Sequence, residues 1–440
     1  MRGNIWNPKM ECMDPKKMRA MQEERFLSVI RWAYKRSPFY RKRFDQAGVP
    51  ISDIRSLKDI TRLPFIYKDD LRASQENSPP YGEHCALPDN VFRTYWSTGT
   101  TGNPTFMGVS RREANYWDDV TARSLYASGL RRGDKFHHAT QLASFGGGYN
   151  FLHAAQLIGA NIIPAGAGNT ERHIYLISKL KPTFIKILPS YASYMAEVGY
   201  KMGVDMSTSS IGRIYLSAEP APPDMRQDIE RKWNAVTFDN YGLSDLGQPE
   251  AFECELRDGL HEIPDWIFTE IIDPETKQPI TECGKEGVLV YTNLVRMAMP
   301  IIRFWTNNPS SWKSNEPCGC GRTTTRIAPV YRRVDDMLKI KGVNFWPGAI
   351  WTILKEQQEL SGMHRIIIED RGGKDYLKIV LELKDRISIE KEGLIGTLKN
   401  KFQGKLFIKV DEIDLVPFGS VEKSLHKESN IVDRRVGNSS

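Results

Sequence analysis

Four short stretches of this chain carry residue types that can handle a phosphorylated ligand. The first is Ser97-Thr98-Gly99-Thr100-Thr101-Gly102-Asn103-Pro104-Thr105. Glycines free the backbone to curl, and its N–H groups and the neighbouring hydroxyls can then wrap a polyphosphate. No Gly-Lys-Ser/Thr follows the second glycine, so this is not a Walker A loop. A plain Gly/Thr-rich surface turn is the alternative. The second stretch joins Ser217-Ala218-Glu219-Pro220 to Asn240-Tyr241-Gly242-Leu243-Ser244-Asp245, each after an apolar, strand-like run. A tyrosine at a strand end can stack on a flat base, and the Asp245 carboxylate can coordinate magnesium. Taken singly, an ordinary turn between strand and helix is the plain reading of each.

The third stretch runs from Arg303 to Asn308 and resumes from Arg332-Arg333-Val334-Asp335-Asp336 into Lys341-Gly342-Val343-Asn344. Basic, acidic and glycine-containing in turn, it suits ribose binding and a hinge, or a charged linker. The fourth, Gly419 to Lys427, puts a lysine where it can reach an α-phosphate and offset charge developing in adenylyl transfer. A solvated surface lysine is the plain reading of that residue.

The six cysteines are too sparse for a disulfide scaffold. Cys254 and His261 stand in CELRDGLH, and Cys318 and Cys320 in CGCGR. Together they make a set of three cysteines and one histidine, of the kind that holds structural zinc tetrahedrally. The single residue between Cys318 and Cys320 is tighter than the usual two-residue spacer. The alternative is a buried Cys254, a satisfied His261 and a tight CGCG turn.

The elements that must position these residues follow from patterning. Met18, Met21, Phe26, Ile30 and Ala33 recur at helical spacing within a helical stretch from about Met10 to Phe44, and Ser37-Pro38 breaks it. A polar loop is expected from Gln75 to Asn90. From Lys135 to about Val290 strands and helices are expected to alternate, as in NIIPAG, TFIKILPS, RIYLSAEP and AVTFDNYG. That pattern implies an α/β unit rich in parallel sheet, whose ligands bind at the carboxyl ends of strands. The last hundred residues predict a small α+β unit. Its strands are RIIIED and YLKIVLEL, joined by a turn at Arg371-Gly372-Gly373, then a helix from about Ile387 to Phe402, then a strand in LFIKVDEIDLV.

Composition bounds the rest. The chain has 440 residues, 40% hydrophobic and 26% charged, which excludes a collagen-like, coiled-coil or wholly disordered protein. Its formal net charge of +7 is modest and not gathered into a long basic block, so a nucleic-acid partner is not expected. No apolar run approaches the roughly 18 to 20 residues that span a bilayer, and the N-terminus has no apolar stretch of signal-peptide type. A cytoplasmic protein without a membrane partner is the expectation. A homodimer stays open.

In this order the four stretches resemble the adenylate-forming superfamily, and within it the phenylacetate–coenzyme A ligase family. IWNPKMECM, SPFYRKRF, ILPSYA, RRVDDMLKIKGVNFWP and SNIVDRR extend the resemblance over nearly the whole chain. It implies an α/β fold: a large N-terminal domain with mixed and parallel sheets, residues 1–334, that binds ATP and acid, and a small mobile α+β C-terminal domain, residues 335–440. The implied reaction makes an acyl-adenylate from a carboxylic acid and ATP, then passes the acyl group to coenzyme A. By match, Ser97, Thr98, Gly99, Thr100, Thr101 and Gly102 form the phosphate loop. Ala218, Glu219, Pro220, Asn240 and Tyr241, with Gly242 and Ser244 beside them, lie on the adenine side. Asp245 stands where the family carries a magnesium-binding glutamate. Arg333 and Asn308 fall at the ribose, Asp335 at the hinge, and Lys427 at the adenylation step.

The resemblance places the acid pocket near Phe145, Gly147 and Tyr149. No basic residue there marks a second carboxylate, and an aryl or arylacetic acid is expected. It also strengthens the zinc reading. Three departures stand out: Asn103 replaces a usual lysine, Asp245 is one methylene short, and Asn308 replaces an aspartate. Loss of a charge-assisted bond at the ribose costs about 1.5–3 kcal/mol, so weaker ATP binding is expected. Two rivals remain on sequence alone: transfer to an amine, hydroxyl or carrier protein, and a non-catalytic nucleotide binder.

Overall fold

The computed structural model describes residues 5–97, 104–142, 146–247, 249–331, 338–341, 343–345, 347–372, 374–385, 387, 390–406, 408–421 and 430–435. A short turn α1 (Pro8–Glu11) leads into α2 (Pro15–Arg36). Asp14 caps α2, accepting from Lys16 N at 3.0 Å and Lys17 N at 3.1 Å, with Pro15 at the first helical position. The predicted break at Ser37-Pro38 is a junction between two helices. Ser37 ends α2, and its hydroxyl accepts from Tyr40 N to start α3 (Pro38–Gln46). The loop expected from Gln75 begins later, because α4 (Lys68–Asn77) includes Gln75. The Gln75 side-chain amide pairs with both backbone groups of Phe106, which fixes α4 against the next hairpin.

That hairpin is β1 (Arg93–Trp96) and β2 (Phe106–Val109), antiparallel. Helix α5 (Arg111–Ala127) follows, begun by a capping box in which Ser110 and Glu113 satisfy each other's backbone N–H. Then come β3 (Lys135–His138), α6 (Gly146–Ile158), β4 (Asn161–Ile163), α7 (Thr170–Leu180), β5 (Phe184–Ile187), α8 (Pro189–Lys201), β6 (Arg213–Leu216), α9 (Pro223–Trp233) and β7 (Val236–Phe238). The five strands form one parallel sheet in the order β4-β3-β5-β6-β7. β5 is buried at every position, as a central parallel strand covered on both faces should be.

The alternation of strand and helix ends at Phe238, not near Val290. β8 (Asn240–Tyr241), β9 (Ala251–Phe252), β10 (Leu260–Glu262), β11 (Ile267–Ile272), β12 (Glu286–Asn293), β13 (Phe304–Ser314) and β14 (Arg326–Ile327) make a second, antiparallel sheet. Its order is β11-β12-β13-β14-β10-β9-β8. The physical reason lies in the connections. β11 reverses into β12 through a polar turn in which Asp273 accepts from Glu275 N and Thr276 N, leaving no room for a crossover helix.

The C-terminal unit holds the hairpin β15 (Leu338–Ile340) and β16 (Val343–Phe345), a turn α10 (Trp351–Leu354), β17 (Leu360–Asp370), β18 (Asp375–Leu383), α11 (Lys391–Leu406), β19 (Glu412–Val416) and β20 (Ile431–Asp433). Its four-stranded sheet runs β19-β18-β17-β20, and Leu398 and Phe402 of α11 pack into its core. The α+β expectation therefore holds, with β20 as an added strand. The unit touches the larger one at α8 and α9. Lys201 pairs with Asp385 at 3.4 Å, Lys355 with Asp224, and Tyr194 stacks on Phe418 at 5.8 Å. The expected boundary at Asp335 lies outside the described residues. Among the described residues no helix is long and apolar enough to cross a membrane.

Candidate active site and metal cluster

The carboxyl ends of β5, β6 and β7 bring the first two stretches together. Ser97 and Thr105 close the base of the glycine-rich loop. Ser97 N donates to Thr105 O at 2.9 Å, and their hydroxyls are 3.0 Å apart. Thr105 Oγ1 then donates to Asp245 Oδ1 at 2.9 Å, so Asp245 faces the loop base. Lys68 at the start of α4 donates to Asp245 Oδ2 at 3.1 Å, and buried Arg296 donates to the Asp245 carbonyl at 2.7 Å. Thr98 to Gly102, and Asn103, lie outside the described residues.

The turn after β6 holds Ala218 in the left-handed region at φ 72°, a conformation that costs a non-glycine residue energy and persists where the surroundings demand it. Glu219 accepts from Ser190 N at 3.1 Å, tying this turn to the start of α8. Asn240 donates from Nδ2 to Leu216 O at 2.6 Å, so the Asn240–Asp245 turn lies beside Ser217–Pro220. Tyr241 OH donates to Asn308 Oδ1 at 3.2 Å, which brings in the second sheet through β13. Pro220 is exposed, and Gly242 and Ser244 are half-buried. The Ser217 hydroxyl is buried and has no partner among the described residues. Ser97, Thr105 and Asp245 thus form one hydrogen-bonded chain, while Asn240 and Tyr241 tie the same turn to the end of β6 and to Asn308 of β13. Arg333, Asp335 and Lys427 lie outside the described residues. Arg303 is structural: it is buried, pairs with Glu270 at 2.9 Å and donates to Leu63 O.

The expected acid pocket begins at α6. Gly148 has to be glycine, since a Cβ there would stand 2.4 Å from Gln141 O and 2.7 Å from Leu142 O. This close approach seats the first turn of α6, with Gly147 buried, over the strand ends. Tyr149 is 46% exposed, its ring near His153 and under the Arg93 guanidinium. Phe145 lies outside the described residues. Below α6 sits a residue that the sequence reading passed over, Lys186 on β5. It is 1% exposed, and its Nζ donates to Thr140 Oγ1 at 2.9 Å. Burial alone pushes its ammonium down to about 7. Lys68 and Arg296 were likewise missed. Nothing local in the sequence marks them, because their roles depend on contacts made across the fold.

A second cluster lies in the antiparallel sheet. Cys254, His261, Cys318 and Cys320 are all buried, and their ligand atoms lie within 4.8 Å of one another. Cys254 Sγ is 3.9 Å from Cys318 Sγ, and Cys320 Sγ is 3.6 Å from His261 Nε2. The hydrogen bond with Cys254 and the nearby His261 hold the Cys320 thiol down toward the thiolate, while that same bond keeps the Cys254 thiol up. The surroundings complete the cluster. Thr324 Oγ1 is 3.0 Å from His261 Nδ1, and Arg322 reaches Cys320 Sγ at 3.5 Å while its Nε donates to Glu11 at 2.7 Å. Four converging soft ligands with a supporting shell can hold a metal ion.

Comparison with known proteins agrees with this layout. The family described as AMP-binding enzyme C-terminal domain matches residues 342–435. A phenylacetate-coenzyme A ligase of Thermus thermophilus is 36% identical over 87% of this chain and 85% of its own. The phenylacetate-coenzyme A ligase of Pseudomonas putida is 32% identical over 97% of this chain and 96% of its own. A crystal structure of 2-hydroxyisobutyryl-CoA ligase in the postadenylation state, in complex with R3-HIB-AMP, aligns with TM-score 0.88. It is 27% identical and covers 98% of this chain and 92% of that one. The same ligase in the thioesterification state aligns over the same shares at 0.73. Equal coverage with a lower score means that the units here are arranged more nearly as in the postadenylation structure.

Proposed function

Because the chain belongs to the phenylacetate–coenzyme A ligase family of adenylate-forming enzymes, we propose that it activates an aromatic carboxylic acid and joins it to coenzyme A. The protein is an AMP-forming acid–thiol ligase. The carboxylate attacks the α-phosphorus of ATP and displaces pyrophosphate. The coenzyme A thiol then attacks the acyl carbon and displaces AMP. Splitting one hard acyl transfer into two easier ones is the gain of such an intermediate.

One observation carries the reading: four sequence-distant segments meet through Thr105–Asp245, Asn240–Leu216 and Tyr241–Asn308 at the carboxyl ends of a parallel sheet. In this reading the loop 97–102 wraps the phosphates and Ala218 to Pro220 with Asn240 to Ser244 border the adenine. Asn308 and Arg333 hold the ribose. Lys427 supplies positive charge to the phosphorus in flight. Magnesium, held near Asp245, would neutralise phosphate charge. Asp245 fits that role with Oδ1 directed at Thr105 of the loop base, while Oδ2 accepts from Lys68 of α4. The orphaned Ser217 hydroxyl fits a polar ligand beside the same turn. The unit after residue 334 is proposed to pivot at Asp335 between the half-reactions. The acid sits at the start of α6, by Phe145 and Gly147 with Tyr149 at the outer edge.

The cysteine cluster is proposed to hold structural zinc. Ligand atoms at about 2.3 Å (Cys) and about 2.0–2.1 Å (His) around a tetrahedral zinc lie about 3.6–3.8 Å apart. The observed 3.9 and 3.6 Å suit that ion.

Acid-dependent pyrophosphate release, with ATP, magnesium and a panel of aromatic and aliphatic acids, tests the function with and without coenzyme A. Thioester formation confined to aromatic acids is expected. Release that never leads to a thioester, or turnover of aliphatic acids only, would overturn it. Lys427→Ala should lower adenylation by about 100-fold or more, and an unchanged rate would remove that residue from the step.

A further inference from the structure

Lys186 is the buried charge that the proposed reaction leaves unused. It is the third residue of β5, in the register pair Lys186↔Tyr215 with β6 and His138↔Lys186 with β3. All three strands end within a few residues of this point, and the Ser217 backbone N–H donates to Ile187 O at 3.3 Å. The lysine therefore lies just below the turn that begins Ser217-Ala218-Glu219. On the helix side its ammonium stands 4.6 Å from the centre of the Phe151 ring of α6.

Its partners are few. Among the described residues its one hydrogen bond is to Thr140 Oγ1. An ammonium has three donors. His138, facing it from β3, is held neutral by burial, well below its ordinary value, with the Lys186 charge adding to the effect. Tyr215 of β6 is a buried neutral phenol whose hydroxyl is engaged by Ser124. No carboxylate among the described residues answers the lysine, although buried charges are ordinarily paired. A methionine or leucine would fill the same space beside Phe151 without the desolvation cost. A lone cation at the carboxyl edge of a parallel sheet, where such sheets bind ligands, is placed to meet a ligand atom.

We propose that Lys186 reads an oxygen substituent on the acid, remote from the reacting carboxylate, so that the enzyme takes oxygen-substituted aryl acids in preference to plain hydrocarbon ones. The inference rests on the aryl–CoA ligase reading and narrows it. The ammonium donates a charge-assisted bond to a hydroxyl, alkoxy or carboxylate oxygen, and Phe151 and Tyr215 supply the apolar wall. A plain ring leaves the ammonium unanswered and is discriminated against, as happens when a site built for a polar group receives an analogue lacking it.

The experiment compares kcat/KM for thioester formation between phenylacetate and its ring-hydroxylated forms, and between benzoate and hydroxybenzoates, in the wild-type chain and in Lys186→Met. The wild type is expected to favour the best oxygenated acid by about 10-fold or more, and Lys186→Met to cut that ratio about 10- to 100-fold through KM. Lys186→Arg, which keeps a cation, should retain part of the preference. A ratio unmoved by Lys186→Met overturns the proposal, as does a wild type that prefers the plain acids. That second result needs no variant, so it decides even where Lys186→Met does not fold. Turnover of plain aryl acids alone sinks this inference and leaves the ligase reading standing. Turnover of no aryl acid sinks both.

Discussion

Two buried polar clusters in the larger unit obey opposite rules. Around Cys254, His261, Cys318 and Cys320 each group has a neighbour of suitable chemistry: thiol beside thiol, imidazole beside cysteine sulfur, Thr324 behind His261, Arg322 behind Cys320. Around Lys186 there is, among the described residues, one hydroxyl and no counter-charge. Burying polar groups costs free energy unless they are answered. The first cluster answers itself once a metal is present and so belongs to the fold. The second is incomplete within the described protein and belongs to whatever enters the site. The contrast separates polar atoms that hold a structure from polar atoms that wait for a ligand.

The largest expected effect follows from breaking the first cluster. Structural zinc contributes to folding directly, because the unfolded chain has no formed site. Cys318→Ser should abolish binding of about one zinc per chain and lower Tm by about 10 °C or more. The cluster also anchors the N-terminal turn, since Arg322 bonds Glu11 and the Thr323 hydroxyl donates to Met13 O at 2.6 Å. Release of residues 5–14 should therefore accompany the loss, read as faster amide exchange there. Elemental analysis that finds folded, metal-free wild-type protein would place this cluster among ordinary packed cysteines.

The second cluster should respond with the opposite sign. Removing a self-satisfied group destabilises, whereas removing an unanswered charge stabilises. Lys186→Met should raise Tm below about pH 7 by an amount corresponding to a few kcal/mol. The sign with pH follows from proton counts. Burial lowers the folded-state value from the ordinary 10.5 to about 7, so between these pH values the unfolded chain binds the extra proton. Wild-type stability relative to Lys186→Met therefore rises as pH increases through that window, and the advantage of the variant shrinks. His138 and Tyr215, which face the lysine, stay neutral throughout most of it. Melting curves at pH 6 and pH 9 measure the difference. A variant less stable at pH 6 would mean that the lysine is already answered and would erase the contrast.

The two clusters also differed in legibility. Cys254, His261, Cys318 and Cys320 announce themselves because ligand types at short spacings are rare by chance, and the only missing information was that the two pairs would meet. Lys186 is silent because a lysine in TFIKILPS reads as an edge residue whose stem is covered and whose head reaches water. Its burial is decided only when β3, β6 and α6 pack around β5. The parallel sheet was readable up to Phe238 from its repeating strand-turn-helix segments. The antiparallel sheet was not, since short strands such as β8, β9 and β14 carry too few residues to show a period. β20 escaped for a related reason: Ile431–Asp433 becomes a strand only by pairing with Ile366–Ile368 far upstream. The Lys68–Asp245 contact spans 177 residues and has no local trace.

A smaller effect sharpens what self-satisfaction means in the metal cluster. His261 Nε2 faces Cys320, and its Nδ1 lies 3.0 Å from Thr324 Oγ1. An imidazole that ligates through Nε2 must carry its proton on Nδ1, and the threonine hydroxyl accepts that proton's hydrogen bond. The bond holds the tautomer and the ring plane that point the Nε2 lone pair inward. Thr324→Val keeps the volume and removes only the acceptor. The ring can then rotate or exchange tautomers, and zinc affinity should fall about 10- to 100-fold, the usual worth of such an outer partner. Competition with a chromophoric chelator reads this directly. At saturating zinc the fold should be unchanged, so Tm separates the variant from Cys318→Ser. An affinity equal to wild type would show that the three cysteines alone fix the imidazole. The first cluster would then owe its closure to its four ligands rather than to the shell behind them.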